Sequence, residues 1–309
     1  MNEKYIGRVR IDSRYYSGGD LYSDGIIENE FLEFVKKGVS SGEILRNDDR
    51  WPTLYHFSPM RENVVEWYPF NDGAKILEIG SGCGAVTGAL CRNKGVRVTC
   101  ADLSMIRSEI CAHRHKNNEN VEIFVGDFNV MEFADKFDYI TLIGVFEYAA
   151  MFTGTSQNPH AEMLKKIAGM LNDGGKLFIA IENKYGLEYW AGSHEDHGGA
   201  VFGGLEGYKN KNVAVTFSKP ELIKMLNDAE FTDHEFYYPY PDYKLPQMIF
   251  SDAHLPKKDD LYIDRYNYDA EKVQLFNEQN VYESLINDGM FGFFSNSFLI
   301  VAGRGSAGA

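Results

Sequence analysis

The sequence predicts an α/β fold: one doubly wound, mainly parallel sheet with helices on both faces, over about residues 70–303. Three observations predict it. Short apolar runs of the kind found in fully buried strands alternate with helical stretches, at Ile76-Leu77, Val96–Ala101, Val121–Val125, Phe137–Gly144 and Lys176–Ile181. A glycine turn, Gly80-Ser81-Gly82-Cys83-Gly84, follows the first run directly and precedes Ala85–Leu90, which reads as a helix. A helix over 160–171 ends in Asn172-Asp173-Gly174-Gly175 immediately before the fifth run, a common joint between helix and strand.

Residues 1–68 come before this pattern and read as a helical segment. Ile26–Lys37 spaces apolar and acidic residues at helical period and stops at Gly38, and Ser58-Pro59 starts a helix running to Trp67. The remaining residues, 69–303, read as one domain with two insertions. The first, 184–211, is rich in glycine and aromatic residues, a poor core candidate and a better binding loop. Ser218-Lys219-Pro220-Glu221 starts a helix through Asn227, Glu235–Tyr238 reads as a strand, and Ser295–Ala302 as the last strand. The second insertion, 239–290, is too long for a hairpin turn.

The glycine turn carries the chemistry. Glycines allow positive φ and let a ligand approach with no Cβ in the way, and amides at a helix start face such a ligand. Glu78 supplies an acceptor at the strand end. Gly80-x-Gly82-x-x-Ala85 also fits the dinucleotide fingerprint, so the turn alone leaves two cofactors open. The second strand ends in Asp102-Leu103-Ser104, where an acid grips ribose hydroxyls in either case. The third ends in Gly126-Asp127-Phe128, and the fourth opens into Gly144-Val145-Phe146-Glu147.

Taken in order, these features resemble class I S-adenosylmethionine (SAM) methyltransferases. The resemblance implies a Rossmann-like sheet with an antiparallel last strand, an N-terminal helical lid over the cofactor, and insertions that cap the acceptor site. It implies SAM as cofactor and S-adenosylhomocysteine as product. It places Glu78, Gly80, Ser81, Gly82, Cys83, Gly84, Leu103, Gly126 and Gly144 around SAM, with Asp102 on the ribose, Asp127 on the adenine amino group and Phe128 flanking the ring. Arg61 is a candidate for SAM's carboxylate, since its fork suits bidentate capture; the alternative is a surface arginine paired with Glu62 or Glu66. Tyr22-Ser23-Asp24-Gly25, Tyr55-His56-Phe57-Ser58, Glu182-Asn183-Lys184-Tyr185-Gly186 and Tyr238–Lys244 are similar to a bacterial subgroup that accompanies glycan assembly and peptide natural-product tailoring, including enzymes that methylate the C-terminal carboxylate of lanthipeptide-type peptides.

Composition narrows the partners. The 309 residues carry a net charge of −14, which argues against nucleic acid and against an anionic membrane surface. No apolar run approaches the roughly 18 residues that span a bilayer. Cys83, Cys91, Cys100 and Cys111 form no C-x-x-C pair, which argues against zinc; they read as reduced buried thiols of a cytoplasmic protein. The expected acceptor is a small molecule or peptide, and nothing in the chain fixes an oligomeric state.

Methyl transfer is an in-line displacement that needs positioning and no metal, with a base only for a neutral hydroxyl. The end of the fourth strand departs from the N-P-P-Y-like tetrapeptide of methyltransferases that act on nucleobase amines, which points to an oxygen nucleophile. Tyr22, Asn183, Tyr185, His194 and His197 are the candidate acceptor-side residues. His194-Glu195-Asp196-His197 lies in a glycine-rich loop and reads as pocket lining before it reads as a metal site. His56 is open between pocket and packing, Glu147 between acceptor site and turn cap. His113 and His115 read as exposed helix positions. A SAM-binding regulatory protein without catalysis is the alternative of another class.

Overall fold

The computed structural model describes residues 2–20, 22–152, 158–195, 199–208, 214–261 and 273–305. They divide into two units, one of residues 1–142 with 170–176, the other of 143–169 with 177–309.

The first unit holds β1 (Glu3–Ile6), β2 (Val9–Tyr15), β3 (Lys75–Ile79), β4 (Arg97–Asp102), β5 (Val121–Gly126) and β6 (Phe137–Ile143, whose last residue belongs to the second unit). Their order is β1-β2-β5-β4-β3-β6. All neighbours are parallel except the β1–β2 hairpin. The chain runs outward from β3 through β4 to β5, then returns to the other side of β3 with β6. That reversal is the switch point at which open α/β sheets bind ligands, and Gly80–Gly84 follows the carboxyl end of β3. The strands are buried runs, as predicted: Ile76, Leu77, Val98, Cys100, Ile123, Val125, Ile140 and Leu142 are almost wholly inaccessible.

Residues 3–15 correct the purely helical reading of the N-terminus. Val9 and Ile11 are buried, alternating with the half-buried Arg10, so the segment joins the sheet beside β5. The rest is helical, over Ile27–Lys36, Ser41–Asn47, Trp51–Phe57 and Asn63–Glu66, with a 3-10 turn at Pro59–Glu62 capped by Ser58. These helices pack on the sheet half through Phe31, Val35, Ile44 and Phe57, which share one core cluster with Cys83 and with Ile110 of helix Met105–Arg114.

The second unit begins β7 (Leu171–Glu182) at residue 177 and adds β8 (Asp233–Tyr240), β9 (Met248–Ser251) and β10 (Ser297–Gly303), ordered β7-β10-β8-β9. The last strand, β10, is antiparallel to β8. The 239–290 insertion contributes β9 and helix Glu278–Asn287, with 262–272 outside the described residues. The 184–211 insertion differs from expectation at its start. Leu187, Tyr189 and Ala191 are buried, so helix Leu187–Trp190 is core, not loop. Among the described residues no helix is long and apolar enough to cross a membrane.

Candidate cofactor and acceptor sites

The glycine turn is built from left-handed backbone: φ is +74° at Gly80, +52° at Gly82 and +75° at Gly84. Three side-chain contacts from the same unit set its course. Asp102 Oδ2 accepts the Gly82 amide at 2.7 Å while its Oδ1 accepts Ser104 N at 2.9 Å. Arg114 Nη1 donates to the Cys83 carbonyl at 2.7 Å, and a His115 ring nitrogen donates to the Gly84 carbonyl at 3.1 Å. A Cβ on Gly84 would lie 2.8 Å from Cys111 Sγ, whereas one on Gly82 meets nothing within 4 Å. The turn is tight against the protein on one side and open at Gly82. Ser81 Oγ is buried with no hydrogen-bond partner. An open glycine and an orphaned hydroxyl fit a ligand that takes polar contacts from this turn.

One feature differs from the sequence reading. The helix after the turn starts at Thr87, not Ala85, and has four residues. The polar contacts available to a ligand are therefore those of the turn itself.

Glu78 and Cys83 face inward. Glu78 Oε2 accepts from Thr87 Oγ1 at 2.6 Å and from Cys100 Sγ at 3.5 Å, which ties β3 to the turn's exit. Burial pushes the Glu78 carboxyl from 4.5 up to about 7, against the lowering by Thr87 and Cys100. Folding therefore favours its protonated form. That stabilisation is complete below the free value, and is lost as pH rises through about 7. The Glu78→Gln variant keeps an acceptor for Thr87 and should lose this pH dependence, with melting temperature higher than wild type at pH 8 and not at pH 5. The Cys83 thiol lies in the core cluster, so only its backbone serves the turn.

Asp102 has lone pairs left for a ribose after its two amide contacts; burial raises its carboxyl despite nearby Arg107 and the two amides. Leu103 is half-buried beside it. Asp127 Oδ1 caps the following turn by accepting Asn129 N at 2.8 Å, and Phe128 is buried. Gly126 faces a different constraint: a Cβ there would lie 2.1 Å from the Tyr15 carbonyl oxygen, so its glycine serves the approach of β2.

Arg61 is buried, which overturns the surface-pair alternative; Glu62 and Glu66 pair with Arg92 instead. Its guanidinium lies 4.2 Å from the Tyr55 ring centroid and donates to Tyr55 Oη at 3.2 Å. Tyr22 belongs to a polar cluster of the N-terminal segment, its ring 4.7 Å from the Arg107 guanidinium. In the same cluster Arg107 Nε donates to Glu28 Oε1 at 2.6 Å, Arg107 Nη2 pairs with Asp24 at 2.9 Å, and His56 Nε2 bonds Asp24 at 2.7 Å. Asp20 accepts from Ser104 Oγ and Met105 N, capping helix Met105–Arg114 beside Asp102. His56 is thus a buried packing and bonding residue, its protonation opposed first by burial.

In the second unit the acceptor-side candidates separate. Asn183 is buried, donating to the carbonyls of Phe293 and Ser295 at 2.8 and 2.7 Å and accepting Tyr185 N at 3.0 Å. Both amide hydrogens and the oxygen bond backbone, which fixes the Asn183 side chain in place. Tyr185 stacks on Phe293 at 5.4 Å. His194 is exposed and bonded to the Gly199 carbonyl at 2.8 Å, while Glu195 is buried on Gly204 N and the Tyr208 hydroxyl. His197 lies outside the described residues. Among the described residues no group of three or more His, Cys, Asp or Glu side chains could hold a metal. Gly144 (φ +70°) sits against the Tyr243 hydroxyl. That hydroxyl donates to Glu182 Oε1 at 3.1 Å, which also pairs with Lys244 at 2.6 Å. Glu147 is fully buried, and His160 beside it is buried with Nε2 unpartnered, its pKa lowered by burial to about 4.

Sequence reasoning missed Arg107, Arg114 and His115. His115, expected on an exposed face, touches the glycine turn. The signal was available: Arg107, Cys111 and Arg114 are spaced i, i+4, i+7 on one helix face.

The strand reversal and the glycine turn beside it have the arrangement of the Rossmann-like fold of class I methyltransferases. The family comparison agrees. Residues 77–177, about a third of the chain, match the sequence model of the methyltransferase domain. Residues of the chain are 28% identical over 123 positions to (S)-coclaurine N-methyltransferase of Thalictrum flavum subsp. glaucum, spanning 39% of this chain and 32% of that protein. The match thus spans about a third of that relative's length. Among solved structures, a SAM-dependent methyltransferase from Clostridium acetobutylicum aligns with TM-score 0.45 and 14% identity over 91% of this chain and 100% of its own. A TehB-like SAM-dependent methyltransferase from Corynebacterium glutamicum aligns with TM-score 0.41 and 17% identity over 85% and 97%.

Proposed function

We propose that the protein is a SAM-dependent O-methyltransferase acting on an oxygen of a natural-product acceptor, with the C-terminal carboxylate of a ribosomally made modified peptide as the first candidate and a glycan or other small-molecule hydroxyl as the next. The observation that carries the cofactor half is the braced turn, open at Gly82 beside Asp102 at the strand switch point. Asp102 would hold the ribose, Asp127 the adenine amino group and Arg61 the cofactor's carboxylate. The cofactor supplies an electrophilic methyl whose carbon–sulfur bonding pair stays on sulfur as the acceptor atom attacks. The protein's part is alignment, since a carboxylate acceptor is already anionic near neutrality.

Support for oxygen is the Gly144-Val145-Phe146-Glu147 segment after β6, which lacks the amine-type tetrapeptide. A second reading, an amine nucleophile, is favoured by the similarity to a coclaurine N-methyltransferase. Incubation with methyl-labelled SAM and a cell extract, followed by mass spectrometry, tests both. Label that alkali releases as methanol marks a carboxylate ester; alkali-stable label on nitrogen refutes oxygen. No label transfer to any acceptor favours a SAM-binding regulatory protein.

His194 is exposed and committed to a loop carbonyl, so a base role is not supported by its placement. His194→Gln should leave the rate within about threefold of wild type and flat through the histidine range near pH 6.5, where loss of a base would lower it about a hundredfold or more.

A further inference from the structure

We propose that Arg114 is a positioning residue for the cofactor, which fixes the glycine turn and the N-terminal helices to one another and thereby sets affinity for the amino-acid end of SAM. The proposal rests on the SAM reading above.

One guanidinium nitrogen makes both contacts. Arg114 Nη1 donates to the Cys83 carbonyl at 2.7 Å and to the His56 carbonyl at 2.8 Å. The first carbonyl is in the turn, the second in helix Trp51–Phe57. The guanidinium carbon lies 5.0 Å from the Phe57 ring centroid, and Phe57 and Cys83 share a core cluster. Arginine has the donors for two carbonyls at once and stacks on an aromatic face, which lysine does not reproduce.

Holding the Cys83 carbonyl inward fixes the peptide plane between Cys83 and Gly84, next to open Gly82. Holding the His56 carbonyl fixes the end of the helix that leads to Arg61. His56 is itself anchored through Asp24 to Arg107 and Glu28. The turn and Arg61, the group assigned to the cofactor's carboxylate, are therefore referred to one side chain. Asp127 and Phe128 follow β5 and are set by a different contact, the Tyr15–Gly126 approach. Losing Arg114 should thus affect ligands that carry the amino-acid chain, and spare those that lack it.

The test is titration calorimetry of wild type, Arg114→Met and Arg114→Lys with SAM, S-adenosylhomocysteine and adenosine, alongside thermal melts. Arg114→Met is expected to weaken SAM and S-adenosylhomocysteine at least about tenfold, the scale of one lost charge-assisted contact. Adenosine affinity should change less than about twofold, and Arg114→Lys should recover part of the loss. Equal weakening of all three ligands, or no weakening of any, overturns the proposal, whatever the melting temperature does. Absence of SAM binding by the wild type refutes the cofactor reading itself, and the proposal with it.

Discussion

Replacing Gly82 by leucine is expected to abolish SAM binding while leaving the protein folded. The backbone there has φ +52°, so a side chain adds strain of roughly 1–2 kcal/mol. Folding should survive, because a Cβ at this position meets no protein atom within 4 Å. The same open space is where the proposed cofactor would approach the turn, and a leucine side chain would fill it. A loss of affinity beyond about a hundredfold, or ~2.7 kcal/mol, is expected by calorimetry, with Gly82→Ala in between. Gly84 makes the contrast. Its Cβ would press on Cys111 and His115, so Gly84→Ala should fail first in stability. SAM binding by Gly82→Leu within a few-fold of wild type would place the ligand elsewhere.

Arg107→Met is expected to produce the largest loss of stability. Glu28 is wholly inaccessible, and its carboxylate is satisfied by Arg107, the Ser23 hydroxyl and the Asp24 amide. Removing the cation leaves that charge buried with neutral donors alone, and also strips Asp24 of its partner at 2.9 Å. Breaking one side of a buried ion pair costs about 3–5 kcal/mol, or roughly 10 °C in melting temperature for a unit of this size. Adding Glu28→Gln should restore part of it, because the uncompensated charge is then gone. A melting temperature within a degree or two of wild type would show the cluster to be solvated and marginal.

The legible part of the fold is the part set by local pattern. Buried strands announce themselves as apolar runs, and Gly80, Gly82 and Gly84 as positions where the chain turns left-handed. Capping residues gave helix starts at Ser58 and Ser218, and both hold. The β1–β2 hairpin was obscured because its alternation, Val9-Arg10-Ile11-Asp12, is short, and because the strand it joins, β5, begins more than a hundred positions later, where Glu122 pairs with Arg10. The supports of the site were less legible for the same reason. Arg114 reaches residues 31 and 58 positions away, and Glu28 and Arg107 are 79 apart. Such pairings follow from the sheet order, which single-residue chemistry does not encode. The Glu182-Asn183-Lys184-Tyr185-Gly186 stretch put Asn183 among the acceptor-side candidates, whereas the carbonyls of Phe293 and Ser295 that fix its amide lie 110 and 112 positions away.

The most direct measurement is titration calorimetry of the wild-type protein with SAM, S-adenosylhomocysteine and NAD in parallel. On the SAM reading, in which the Asp127-Phe128 pair after β5 is what separates it from NAD, the expected result is saturable binding of SAM and of S-adenosylhomocysteine, with no heat from NAD at the same concentrations. Binding of NAD with none of SAM would contradict the assignment at its root.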